Sequence, residues 1–160
     1  MTFPIGYITP KNLFKSNWWK CHFRYLRGMI RFLRKKYRPS VDDFQWILSN
    51  RAFARVDYLV YENLGMNYVH LKDFSKAEEY FVKAKDHKAQ QQNGYLFMWL
   101  GYVYLVQKRH EESLACFQNA RQLSRRGYYK WLVNHNYVER QIEELQGDIR
   151  NKYKEILRNN

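Results

Sequence analysis

The feature that most constrains this chain is a 36-residue unit written twice between Tyr58 and Gly127. In the first copy Tyr61, Leu64, Gly65, Tyr68, Ala77, Phe81 and Ala84 stand at offsets 0, 3, 4, 7, 16, 20 and 23. The second copy answers with Phe97, Leu100, Gly101, Tyr104, Ser113, Phe117 and Ala120, and only Ser113 against Ala77 departs, mildly. A unit this short cannot bury its apolar side alone, so copies must pack on neighbours. The steps of three, one and three from Tyr61 to Tyr68 place four residues on one face of a helix, helix A. Ala77, Phe81 and Ala84 form the facing stripe of a second, helix B. Glycine at position 65 costs ~1 kcal/mol against alanine in an exposed helix, which points to close approach by the partner helix.

This pattern resembles the tetratricopeptide repeat over about 70 residues. The resemblance implies an all-α fold of antiparallel helix-pair repeats stacked in a short TPR-like solenoid with capping helices, and a binding scaffold rather than a catalyst. In that family a concave groove is lined by helix A positions lying between the packing residues. The matching positions here are Leu59, Glu62, Met66, Val69 and His70, then Tyr95, Met98, Tyr102, Leu105 and Val106. Of these, Leu59, Glu62, Met66, His70, Tyr95, Met98 and Tyr102 are the expected partner-binding residues. The competing reading is that individual members, Val69, Leu105 and Val106 above all, pack on the next helix. Family members that clamp a C-terminal carboxylate use Lys, Arg and Asn at such positions. Glu62 and Met98 depart from that set and favour an apolar or helical peptide.

Local signals divide the chain into a basic, aromatic segment at 1–40, a helix at 41–57 leading into the repeats, two repeats at 58–127, and capping helices at 128–160. Ser40 and Ser75 are expected N-caps, Ser75 with Glu78 as a capping box. Asn93-Gly94 and Arg125-Arg126-Gly127 read as helix stops. Trp131, Leu132, Tyr137, Val138, Ile142 and Leu145 fit one helix closed at Gly147, and Ile149, Tyr153, Ile156 and Leu157 a final one.

Charge is the second constraint. The net charge is +13, and residues 1–57 hold 12 Lys or Arg against three acids, whereas 58–160 hold 16 against 12. No acid precedes Asp42, and Lys20, Arg24, Arg27, Arg31, Arg34 and Arg38 recur at helical spacing. Trp18, Trp19, Tyr25, Leu26, Met29, Ile30, Phe32 and Leu33 fill the other positions. Two readings stay open. As an interfacial helix, the segment would use Trp18, Trp19 and the six cations to dock on an anionic membrane surface or a membrane-associated complex. As helix A of a degenerate repeat, it would match Gly28, Tyr37 and Phe44 to Gly65, Phe74 and Phe81 at a separation of 37. In that case Arg27 and Arg31 stand where Leu64 and Tyr68 would be buried, which demands partners for them.

No catalytic or metal constellation is spelled out. The five histidines lack the i, i+4 pairing of a helical metal site, and Cys21 and Cys116 have no Cys-x-x-Cys spacing. No metal or cofactor is expected, and a His110–Cys116 dyad is imaginable only with Cys116 in an apolar setting that makes a thiol inert. No run of 18 apolar residues occurs, so no membrane span is expected. Two cysteines without paired spacing suit a reducing, cytosolic compartment, so the expected location is cytoplasmic, peripheral at most to the cytoplasmic face of a membrane. The reading is a non-enzymatic adaptor that binds a protein partner through an apolar, aromatic groove and docks by its basic helix. The alternatives are a nucleic-acid-binding protein using the same basic, aromatic segment, and a structural subunit on an acidic protein neighbour.

Overall fold

The computed structural model describes residues 16–50, 57–91, 93–124 and 133–158. Among the described residues there are seven α-helices and no strand, so the expected all-α architecture holds. The chain divides into two compact units, Met1–Ala84 and Lys85–Asn160.

The first unit contains α1 (Ser16–Leu33), α2 (Tyr37–Ser49), α3 (Asp57–His70) and α4 (Phe74–Lys85, whose last residue begins the second unit). The second contains a 3₁₀ turn at Lys88–Gln90, then α5 (Gly94–Val106), α6 (His110–Ser124) and α7 (His135–Arg158). Three helix pairs, α1–α2, α3–α4 and α5–α6, repeat one geometry. In each, a helix A glycine faces the ring of a helix B phenylalanine 16 residues later: Gly28 on Phe44, Gly65 on Phe81, Gly101 on Phe117. A Cβ added at Gly65 would lie 2.5 Å from a Phe81 ring carbon, and one at Gly28 or Gly101 3.0 Å from its phenylalanine. All three rings are fully buried. The Ser40 hydroxyl donates to the Gly28 carbonyl at 2.9 Å and the Ser113 hydroxyl to the Gly101 carbonyl at 2.8 Å.

The turn within each pair is also the same. Lys35, Lys72 and Lys108 adopt φ of 58°, 61° and 60°, the left-handed conformation that usually calls for glycine. The next residue's N–H reaches back to Arg31, Tyr68 and Tyr104 carbonyls at 2.8, 3.0 and 2.9 Å, closing the carbonyls that each helix end leaves open. Residues 21–50 therefore form a helix pair of the same kind as the two evident in the sequence.

Several local expectations are corrected. Ser40 lies inside α2, with its hydroxyl on Gly28; Pro39 instead occupies the first turn, where its missing N–H is harmless. α4 is capped by Asp73, whose Oδ1 accepts the Lys76 N–H at 3.2 Å, so Ser75 falls within the helix. Asn93 starts α5 rather than stopping a helix, its Oδ1 accepting from the Tyr95 and Leu96 N–H groups at 3.1 and 3.3 Å. Gly94 follows because a side chain there would meet the α6 backbone, 3.0 Å from the Ala120 carbonyl oxygen. Gly147 does not end a helix: α7 runs unbroken through it, since one glycine in a helix costs only ~1 kcal/mol. The stop expected at Arg125-Arg126-Gly127, together with Trp131 and Leu132, lies outside the described residues. So do the side chains of Tyr153, Ile156 and Leu157.

The core of the second unit joins Phe117 and Ala120 of α6 to Val133 and to Val138, Ile142 and Leu145 of α7. α3 is buried at eight consecutive positions, 62–69, and α5 is apolar on nearly every side.

Candidate functional site

The basic stripe is built on α1, and the structure divides it. Asp43 of α2 is fully buried and gathers three of the arginines. Arg27 Nε donates to Oδ2 at 3.0 Å, with a second bond from its Nη2 to Oδ1. Arg31 Nη1 donates to Oδ2 at 2.8 Å and to the Pro39 carbonyl at 3.0 Å. Arg24 Nη1 is 3.4 Å from Oδ1, and its guanidinium lies 4.2 Å over the Trp46 ring. These bonds hold the already high pKa of Arg27 higher still. A carboxylate out of water is tolerable only with such partners, so these arginines are structural members of the α1–α2 pair. Lys20, Arg34 and Arg38 are exposed. The Trp18 side chain lies outside the described residues.

Asp43 is the residue that the sequence reading does not single out. The signal was present as a paired exchange. Tyr61 and Tyr68 in the second pair both stack on Tyr80, at 6.2 and 5.5 Å. Arg24, Arg31 and Asp43 occupy the corresponding positions in the first pair, so an ion cluster replaces an aromatic stack.

The rest of α1 faces two ways. Cys21 and Gly28 are buried, Tyr25 meets Phe44 edge-on at 5.6 Å and accepts from Asn63 Nδ2 at 3.2 Å, and Phe32 meets His70 at 5.4 Å. The opposite side carries Trp19, Phe23, Leu26, Ile30 and Leu33, between 41% and 64% exposed. The sequence reading had Trp19, Leu26, Ile30 and Leu33 within a broad apolar surface and did not use Phe23.

The seven expected groove residues fall in both units. In the first, Leu59 is half-buried and Glu62 and Met66 are buried. His70 is exposed at its edge but stacks face to face on Tyr37 at 4.6 Å. Burial, with Lys35 adding to it, lowers the His70 pKa. The side-chain oxygens of Asn63 and Asn67 on the same helix are buried without a hydrogen-bond partner among the described residues. In the second unit Tyr95 and Met98 pack against the Phe117–Leu145 core, as do Leu105 and Tyr137. Tyr95, Trp99 and Tyr102 form an edge-to-face ladder at 6.1 and 6.3 Å. Burial first, and Tyr102 next, push the Tyr137 phenol up to about 12. Tyr95 and Met98 are thus half-buried supports of the core as well as surface.

Burial pushes the Cys116 thiol up to about 11, the opposite of what a nucleophile needs. Among the described residues no three His, Cys, Asp or Glu side chains converge as metal ligands, and no helix is long and apolar enough to cross a membrane.

Residues 58–89 match the family profile described as tetratricopeptide repeat. No curated protein sequence matches the chain. Among solved structures, the Arabidopsis OM64 TPR domain aligns with a TM-score of 0.67 at 16% identity, covering 82% of this chain and 98% of that one. The TPR2B domain of yeast Sti1, solved as a complex with pHsp70, aligns at 0.66 and 14%, over 81% and 98%. The first TPR of Spaghetti (RPAP3), bound to the HSP90 peptide SRMEEVD, aligns at 0.65 and 14%, over 81% and 93%.

Proposed function

We propose that this chain, an all-α TPR-like helical-repeat protein, is a non-enzymatic adaptor that binds a protein partner through its helix A surfaces and docks through α1 on an anionic surface. The observation that carries the reading is the helix pair repeated three times around a buried glycine–phenylalanine contact. That architecture presents rows of helix faces to a partner. Protein binding is supported by structural neighbours solved with peptide or protein partners. Among the expected groove residues, His70 is exposed and Leu59, Tyr95, Met98 and Tyr102 are partly so; all five are apolar or aromatic, and Glu62 stands where a cation would be needed to hold a terminal carboxylate. The partner segment is therefore apolar, and a synthetic SRMEEVD peptide is expected not to bind.

The test is direct binding of a purified partner, identified by capture on the full chain. Leu59→Ala with Tyr102→Ala should weaken it at least tenfold, with the far-ultraviolet spectrum and melting point near the parent's. Unchanged affinity in a folded double variant would remove the helix A surfaces as the binding site. Met98→Ala is a poor probe, because its contacts with the α6–α7 core make it a stability variant.

Docking on an anionic surface, at the cytoplasmic face of a membrane or on a membrane-associated complex, is supported by the exposed Lys20, Arg34, Lys35, Lys36 and Arg38 around α1. Nucleic acid and an acidic protein neighbour are the competing anionic surfaces. Retention on heparin against vesicle pelleting, each across a salt series, separates them.

A further inference from the structure

We propose that the outer ridge of α1 is a lipid-insertion surface, with Phe23, Leu26, Ile30 and Leu33, and Trp19 at its start, sinking to headgroup depth in an anionic bilayer. This deepens the anionic-surface docking proposed above and rests on it.

The ridge is defined by spacing and by exposure together. Positions 19, 23, 26, 30 and 33 step by four, three, four and three, and at 3.6 residues per turn they fall in a sector of about 80°, over about 21 Å of helix. All five are exposed, although the other side of the same helix is engaged, with Cys21 buried, Gly28 against α2, and Tyr25 and Phe32 reaching α2 and α3. Unlike a lone surface leucine, five large apolar side chains in one line form a continuous patch. The ridge is one helix wide. A bilayer interface accepts such a shape without a complementary groove.

Charge selects the anionic bilayer over other occupants. Lys20 and Arg34 lie along one edge of the ridge, with Arg27 between them, its guanidinium 5.7 Å from the Phe23 ring. Lys35, Lys36 and Arg38 stand just beyond its C-terminal end. No acid occurs in residues 16–41. A second copy would bring the same cations against these, which repels. An acidic partner helix would have to answer both the edge and the end of the ridge, whereas a plane of anionic headgroups answers them all at once. Asp43 draws Arg24 and Arg31 to the α2 side and holds Arg27 at the edge of the ridge beside Phe23.

The test uses the full chain with phosphatidylcholine vesicles, with and without one-third phosphatidylserine, read by co-sedimentation. The parent should pellet with the phosphatidylserine vesicles and not with neutral ones. Phe23→Gln with Ile30→Gln, both exposed and so expected to leave the melting point unchanged, should weaken pelleting by about tenfold or more. Lys20→Gln with Arg34→Gln should weaken it less and flatten its salt dependence. A parent that ignores phosphatidylserine vesicles, or a ridge variant that pellets like the parent, overturns lipid insertion. So does a parent dimer in light scattering that the ridge variant dissolves, which would make a second copy the occupant. If insertion fails while the parent is still retained on heparin, anionic docking stands without lipid; if heparin retention fails too, that docking reading falls with it.

Discussion

Each helix pair turns on a glycine whose missing side chain is occupied by a phenylalanine ring, and the tightest of the three contacts is at Gly65. Gly65→Ala should destabilise the protein by ~1–3 kcal/mol through overpacking, and more than Gly28→Ala or Gly101→Ala, where the same added carbon meets the ring at 3.0 Å. Urea midpoints of the three variants check the order; equal midpoints would show that the Phe81 ring moves aside freely. Asp43 is the other decisive residue. Asp43→Ala leaves Arg24, Arg27 and Arg31 without their carboxylate. Because these arginines are about one-third exposed and regain water, the loss should be roughly 2–3 kcal/mol, below that of a pair buried on both sides. Chemical denaturation measures it, and a midpoint equal to the parent's would mean that the cluster contributes no net stability.

At the scale of the element, the turns and the packed helix ends carry the next predictions. Lys35, Lys72 and Lys108 hold a left-handed backbone that glycine adopts without steric cost. Lys72→Gly should therefore raise stability by ~0.5–1 kcal/mol, read as a higher melting point, unless the Lys72 side chain supplies a contact of comparable worth. The end of α3 meets the start of α2 through His70 stacked on Tyr37. Burial, reinforced by Lys35, holds the folded His70 pKa below its ordinary value near 6.5. Below that pH the unfolded chain takes up a proton that the native stack resists, so stability should fall as pH drops through about 6.5. His70→Phe keeps the ring and should remove that part of the slope; melting curves between neutral and mildly acidic pH decide it. Helix existence was legible in the sequence from apolar spacing, but helix ends were not. Ser40, Ser75 and Gly94 carry the residue types of caps and stops, and each is placed instead by a neighbouring helix or a nearer capping side chain.

Over the whole molecule, a chain of helix pairs should lose structure locally. Phe44 and Phe81 are buried in the first compact unit, and the Phe117–Leu145 cluster in the second. Asp43→Ala should speed amide exchange in α1 and α2 while amides of α6 and α7 keep their protection, as expected where stability is summed over neighbouring repeats. Uniform loss of protection across both units would mean that the chain unfolds as one cooperative body.

Two of the three helix pairs are legible in the sequence, because a glycine, a phenylalanine 16 residues later and a small residue between them recur with apolar neighbours at one spacing; the pair at residues 21–50 has the glycine and phenylalanine but arginines at other packing positions. The sequence by itself also determined that α1 is basic and apolar by turns. Which of those residues face solvent was decided by tertiary structure alone. Arg24, Arg27 and Arg31 look like one side of a docking stripe until a buried carboxylate on the next helix claims them, and Tyr95 and Met98 look like groove lining until α6 and α7 take their inner surfaces. Periodicity reports the face of a helix on which a side chain lies. Whether that face is covered depends on a partner many residues away, and burial of one charge there reassigns the role of three others.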